Sequence, residues 1–214
     1  MKKLQNSLLI ALLLCASLTF GQTNRVAIGF ETGSSLVLLY QNNVFDDLAW
    51  GFSSGLAFQY NSTNHTSIGT GISLERKVFT VHATLTDISG KELGEMTFHP
   101  TYDYLTIPLL VRQTLGKKNN YFVNAGPYLG YLINQTNVSL PQPETNKRFD
   151  LGLITGFGML FPVDKNLFLS LELRNNLELV GSDYIPEVNG HTPKTNATFL
   201  LFGIGYGFLP GTDE

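Results

Sequence analysis

The sequence predicts an all-β chain whose eight antiparallel strands close as an up-and-down barrel that crosses a membrane. Apolar residues recur at every second position over eight stretches, the period of strands and not of helices. The connections between those stretches alternate between short and long. Each stretch sets a regular apolar face against a face of glycines and charges, an arrangement that suits lipid outside and water inside.

The length of 214 residues fits one domain, and 14% charged residues with a net charge of −3 exclude a nucleic-acid partner. Lys2 and Lys3, the apolar run Leu8 to Phe20, and the small residues Thr19 and Gly21 predict a cleaved signal peptide over 1–21, leaving 22–214 as the barrel domain. Cys15 is the only cysteine and lies in that run, so the exported chain has no disulfide, thiolate nucleophile or cysteine ligand. A lipid anchor at Leu13-Leu14-Cys15 is disfavoured, because Leu14 is large where a small residue is needed. After Gln22 no window approaches the roughly 20 apolar residues of a spanning helix.

The stretches run Val26 to Ser35, Ala49 to Tyr60, Ser67 to Val81, Tyr102 to Leu115, Tyr121 to Asn134, Phe149 to Phe161, Leu167 to Leu179 and Ala197 to Phe208. Asn61 to Thr66, Gly116 to Asn120 and Pro162 to Asn166 are short turns, whereas the connections after the first, third, fifth and seventh stretches are long. Short turns on one rim and long loops on the other place the long loops outside the cell.

The seventh stretch shows the faces most clearly. Leu167, Leu169, Leu171, Leu173, Leu177 and Leu179 share one side; Ser170, Glu172, Arg174, Asn176 and Glu178 share the other with Phe168. In the eighth, Leu200, Phe202, Ile204, Tyr206 and Phe208 oppose Gly203, Gly205 and Gly207. A water-soluble barrel would turn the leucines inward and leave no place for the ions but its surface, yet the long apolar faces demand cover on every strand. Packing Glu31, Arg112, Asp150, Glu172 and Arg174 into a dry apolar core would be costly, so the apolar faces are assigned to lipid.

Aromatic residues bracket the strands: Trp50 and Tyr60, Tyr121 and Tyr131, Phe149 and Phe161, with Tyr206 and Phe208 on the last. Ten residues at about 3.3 Å each, tilted about 40°, climb roughly 25 Å, the height of the band between aromatic girdles. The inner face carries Arg25, Glu31, Glu75, Lys77, Arg112, Asp150, Glu172, Arg174 and Glu178, interleaved with glycines that leave room for longer neighbours. Eight strands enclose a space that side chains fill, so a closed, ion-paired plug is expected in preference to a pore. Pro108 and Pro127 sit in the fourth and fifth stretches, where a closed barrel has no edge to hide a missing N–H. A bulge or local gap is expected there, with the fastest hydrogen exchange in the barrel.

Tyr104-Leu105-Thr106-Ile107-Pro108-Leu109-Leu110, Asn124-Ala125-Gly126-Pro127-Tyr128-Leu129-Gly130-Tyr131, and Phe149-Asp150-Leu151-Gly152 with Gly156-Phe157-Gly158 follow a recurring pattern. It resembles the PorT-like outer-membrane β-barrel family of Bacteroidetes over the fourth to eighth stretches; the first three agree in pattern only. Leu173-Arg174-Asn175-Asn176-Leu177 resembles that family's Arg-Tyr-Asn-Leu-Gly-Leu segment, without its Tyr and Gly. The resemblance implies an eight-stranded barrel of the bacterial outer membrane and, for the best-known member, a part in type IX protein secretion. The chain departs from the usual barrel in its end, since Leu209 to Glu214 follow Phe208 where an aromatic terminus is common.

Residues 81–100 are expected to form an external hairpin turning at Gly90-Lys91, with Ile88 opposite Leu93, Leu85 opposite Met96 and His82 opposite His99. Such an arm offers strand edges and an apolar strip to an envelope protein, the partner expected besides outer-membrane lipid. His82 and His99 would be a weak candidate metal pair, since two ligands rarely suffice; no cofactor is expected. His65 and His191 are read as loop residues. Ser89, Ser182, Asp183 and Glu187 form no motif with a histidine, so no enzymatic activity is expected, with an outer-membrane hydrolase the last alternative after a narrow solute channel. The Asn-x-Ser/Thr sites at Asn61, Asn64, Asn134, Asn137 and Asn196 are read as composition of Asn- and Thr-rich turns.

Overall fold

The computed structural model describes residues 25–40, 49–63, 65–87, 89–116, 120–136, 148–164, 166–180 and 194–208. The signal peptide, Cys15, Asn64, Ile88, Asn137, Ser182, Asp183, Glu187, His191 and Leu209 to Glu214 lie outside the described residues. Ten strands follow in chain order: β1 Arg25–Tyr40, β2 Ala49–Asn61, β3 Thr66–Val78, β4 Val81–Thr86, β5 Glu92–Phe98, β6 Thr101–Leu115, β7 Tyr121–Thr136, β8 Phe149–Pro162, β9 Leu167–Val180 and β10 Lys194–Phe208. Eight of them close a barrel in the order β1-β10-β9-β8-β7-β6-β3-β2, and β4 pairs with β5 as a separate two-stranded sheet.

The register fixes the shape of the barrel. Val26 pairs with Tyr60, Tyr60 with Ile68, Ile68 with Val111, Val111 with Ala125, Ala125 with Thr155, Thr155 with Asn175, Asn175 with Thr198, and Thr198 with Leu36. One circuit therefore returns to β1 from Val26 to Leu36, a stagger that tilts the strands by about 35–45° to the barrel axis. Every residue on that circuit points outward, so the alternation read from each strand survives closure.

The faces lie as the alternation requires. Leu169, Leu173, Leu200, Phe202 and Ile204 are exposed, while Glu172, Arg174, Asn176 and Glu178 are buried. Burial of ions beneath a shell of exposed leucine and phenylalanine is the inverse of a water-soluble domain and matches a lipid-facing wall.

Three departures concern the strand ends. The third stretch does not run unbroken to Val81: β3 ends at Val78, and after Phe79 and Thr80 the chain restarts as β4. β1 runs on to Tyr40, and β10 begins at Lys194, earlier than Ala197. The prolines leave the gap expected of them. On β6 the pairs with β7 pass from Pro108 to Val111, skipping Leu109 and Leu110, and those with β3 pass from Leu109 to Thr106. Thr70 Oγ1 donates to the freed Pro108 carbonyl at 2.8 Å. Amide exchange is expected to be fastest at Leu109, Leu110 and Gly126 among barrel positions of equal depth, and uniform protection along β6 would refute the gap. The register shifts themselves fall elsewhere, between Asp103 and Tyr104 and between Leu151 and Gly152.

Candidate functional site

The lumen is filled in layers from the short-turn rim to the long-loop rim. Nearest the short turns, Arg112 lies 4.0 Å from the Phe122 ring centroid and donates to Gln59 Oε1 at 2.9 Å and Glu172 Oε2 at 3.3 Å. Above it, Arg174 Nε donates to Glu172 Oε1 at 2.6 Å and Arg174 Nη2 to Glu31 Oε2 at 2.9 Å. Asn124 Nδ2 completes the coordination of Glu172 at 3.1 Å. Glu172 is thus shared by both guanidinium groups and the Asn124 amide, Glu31 is held by Arg174, and Arg112 spends a further hydrogen on the Gln59 carbonyl.

In the next layer Asn176 Nδ2 reaches both Glu75 oxygens, at 3.2 and 3.3 Å, and the Ser73 hydroxyl donates to Glu75 Oε1 at 3.4 Å. Toward the long loops, Lys77 Nζ donates to Asp150 Oδ2 at 2.9 Å and Thr195 Oγ1 at 3.1 Å, and sits 4.5 Å from the Tyr104 ring centroid. Tyr128 OH donates to the other Asp150 oxygen at 3.1 Å, and the Thr195 amide donates to Glu178 Oε2 at 2.8 Å. Lys77 and Asp150 are each about 1% exposed, which makes this pair inaccessible from either rim.

A buried aromatic and aliphatic cluster runs up one side of the lumen beside these ions, from Leu201 and Phe199 through Tyr104 and Leu132 to Phe79 and Tyr102, which cap its long-loop end. Phe79 meets Tyr102 edge-on at 5.5 Å. Sequence parity points Phe79, Tyr102, Tyr104 and Phe199 inward, Phe79 in step with Glu75 and Lys77, but parity alone does not show that they meet as a cap. Glycines make room on the inner wall of β8. A Cβ at Gly152 would run into the Tyr128 ring, and one at Gly158 into the Phe122 ring. Below the lid a cavity of about 60 Å³ remains beside β1, β2 and β3, lined by Gly29, Gly55, Gly69, Glu31, Arg112 and Arg174 among others.

Eight of the nine predicted lumen charges therefore meet inside. For the ninth, Arg25, the backbone pairs with Asn61 at the foot of β1, and the side chain lies outside those described. The predicted girdle residues fall at the two strand ends: Trp50, Tyr131 and Phe149 beside the long loops, Tyr60, Tyr121, Phe161, Tyr206 and Phe208 beside the short turns. Tyr131 and Phe149 are in ring contact at 5.2 Å, as are Tyr206 and Phe208 at 5.3 Å. A further ion pair lies on the outer wall near the long-loop rim, where Arg76 Nε donates to Asp103 Oδ1 at 2.6 Å and stacks on Phe52. Sequence reading passed over it because the two residues are distant in the chain and meet only through the β3–β6 register.

The external arm is present, but its register corrects the expected one. His82 pairs with Thr97, not His99, and Leu85 with Gly94, not Met96; Thr86 then pairs with Glu92, a bulge that leaves Leu93 unpaired. The turn spans Asp87 to Lys91 instead of two residues, closed by Asp87 N–H to Lys91 O at 2.9 Å. Asp87 Oδ1 accepts from the Ser89 and Lys91 amides at 2.8 and 2.9 Å, with Gly90 at φ 81° making the reversal. The Ser89 hydroxyl, with those amides, holds the Asp87 carboxyl below the usual carboxylate range. Asp87 captured the turn that a Gly-Lys reading had placed two residues later. Among the described residues no group of three metal-ligating side chains forms; His99 Nδ1 instead lies 3.4 Å from Thr80 Oγ1.

An ion-filled lumen inside an apolar wall, bounded by aromatic rims, defines a transmembrane barrel of the outer-membrane type. Residues 20–179 match the model of the outer membrane protein beta-barrel domain family, and the chain belongs to that family. Among solved structures it is similar to Ail of Yersinia pestis, at 12% identity and TM-score 0.50, covering 87% of this chain and 100% of that one. OprG of Pseudomonas aeruginosa follows at 14% identity and TM-score 0.50, with 88% and 97% covered, and Neisserial surface protein A at 15% and 0.50, with 86% and 97% covered. These likenesses are of fold, an eight-stranded antiparallel barrel, and the outer membrane follows from the family match. No curated protein matches the chain.

Proposed function

We propose that the protein is a binding, non-catalytic component of the outer membrane, a barrel with a closed lumen that holds its β4–β5 arm out for another envelope protein. The observation that carries this reading is the root of the arm. Phe79 N–H donates to Pro100 O at 3.1 Å and the Phe79 ring is buried against Tyr102, so the arm is anchored in the packed long-loop end of the lumen. Beyond that root the arm is a two-stranded sheet to which no third strand is added among the described residues, and Leu93 and Met96 are 67% and 43% exposed. A free edge beside exposed apolar side chains suits strand addition by a partner. The resemblance to PorT-like barrels makes secretion-apparatus components the partners to look for.

The test is co-purification of the tagged protein from crosslinked native outer membranes. One or a few envelope proteins should be recovered, and deleting Thr84 to Thr97 should abolish their recovery while the barrel still inserts. Recovery that is unchanged by the deletion would remove the arm from the account. The mass of the recovered protein also reports whether residues 1–21 have been cleaved. A narrow channel is the second reading, favoured by the cavity in the short-turn half. Solute flux through liposomes above the rate of empty vesicles would support it against the plug.

A further inference from the structure

Between its girdles a lipid-facing wall should be apolar, and over the middle of β3, β6 and β7 it is, with the Thr66–Gln113 and Arg76–Asp103 pairs toward the two rims. Ile72, Ile107, Leu109, Val111, Val123 and Leu129 face outward and are exposed, and the one hydroxyl there, on Thr70, is spent on Pro108 O. The opposite wall differs. Thr155, Asn175 and Thr198 lie side by side across β8, β9 and β10. Ser34 and Thr32 continue the row on β1, one and two outward positions below Leu36, the partner of Thr198.

Asn175 is deep in this wall. It interrupts a leucine ladder on β9, with Leu167, Leu169, Leu171 and Leu173 toward the short turns and Leu177 and Leu179 toward the long loops. Asn175 Nδ2 donates to Asn196 Oδ1 at 2.6 Å and to Thr198 Oγ1 at 3.0 Å. Those bonds use both amide hydrogens of Asn175 and leave its carbonyl oxygen open; they use the carbonyl of Asn196 and leave its amide hydrogens open. Among the described residues nothing donates to the first or accepts from the second. Hydrocarbon offers neither a donor nor an acceptor.

We propose that this row is the contact face of a symmetric dimer formed by two copies of the chain in the membrane. An open carbonyl beside an open amide is complementary to the same pair turned through a two-fold axis. Asn196 Nδ2 of each copy then donates to Asn175 Oδ1 of the other, and each bond occurs twice. Short hydroxyl side chains at Thr155, Thr198, Ser34 and Thr32 let the two walls approach closely. The arm springs from β3 and β6, on the far side of the barrel from β9 and β10, so a dimer leaves it accessible.

The test uses the full chain in native outer membranes with Cys15→Ser, which removes its only cysteine. Leu177→Cys and Thr198→Cys, introduced singly, lie beside the proposed two-fold axis, and Leu109→Cys reports on the opposite wall. Oxidation should link two copies through Leu177→Cys or Thr198→Cys and not through Leu109→Cys. Adding Asn175→Leu, which restores the ladder, should lower the linked fraction about tenfold, the effect of losing two symmetry-related membrane hydrogen bonds. Equal linkage on both walls, no linkage on either, or linkage to a different protein would each overturn the dimer.

Discussion

Replacing Arg174 with alanine is expected to cost the barrel about 3–5 kcal/mol of stability and to leave its conductance near that of the parent. Arg174 holds Glu172 and Glu31 at 2.6 and 2.9 Å and is only 7% exposed. Its removal leaves two carboxylates to Arg112, which reaches Glu172 at the longer distance of 3.3 Å and is not bonded to Glu31. An uncompensated buried charge is the main source of the loss, since the pair's own attraction is largely offset by the desolvation of both partners. Conductance should change little, because the Lys77–Asp150 pair and the Phe79 lid lie between this layer and the long-loop rim. Urea unfolding in lipid vesicles measures the first quantity and single-channel recording the second. A large gain in conductance with an unchanged unfolding midpoint would mean that Arg174 is a gate and not a strut.

Lys77→Met should destabilise by a similar amount, about 3–5 kcal/mol, through the opposite sign of charge. Lys77 is the ammonium in contact with Asp150, and its other hydrogen bond goes to Thr195, which also donates to Glu178. The double variant Lys77→Met with Asp150→Asn keeps an acceptor for Tyr128 OH and removes the stranded charge. It should recover at least half of the loss in the same unfolding assay. If the double variant is no more stable than Lys77→Met, the cost comes from packing against Tyr104 and not from charge.

Much of this arrangement was legible because strand parity is rigid. Once Leu167 to Leu179 were assigned to lipid, Glu172, Arg174 and Glu178 had nowhere to go but inward, and the structure buries all three. Parity says nothing about which strand a side chain will meet. The pairing of Arg174 with Glu31, from strands that are not adjacent, depends on how side chains extend across the lumen, and no sequence pattern encodes that reach. The arm failed for a local reason. Asp87 can accept from two following amides, so it sets the turn two residues earlier than a Gly-Lys pair alone would, and every cross-strand partner shifts with it. Asn175 was visible as a polar residue on an apolar face, but its meaning required the register that lays Thr155 and Thr198 beside it.

The closed circuit from Val26 to Leu36 also limits how such a chain can change over generations. Each strand is held by two neighbours, so losing or gaining one residue inside it would turn half its wall inside out while both neighbours keep their places. Length can vary freely only beyond the closed ladder, at the rims. Lineages descended from this barrel should therefore keep their walls to a fixed count and accumulate insertions in the long connections, which makes the side facing the surroundings the inventive one.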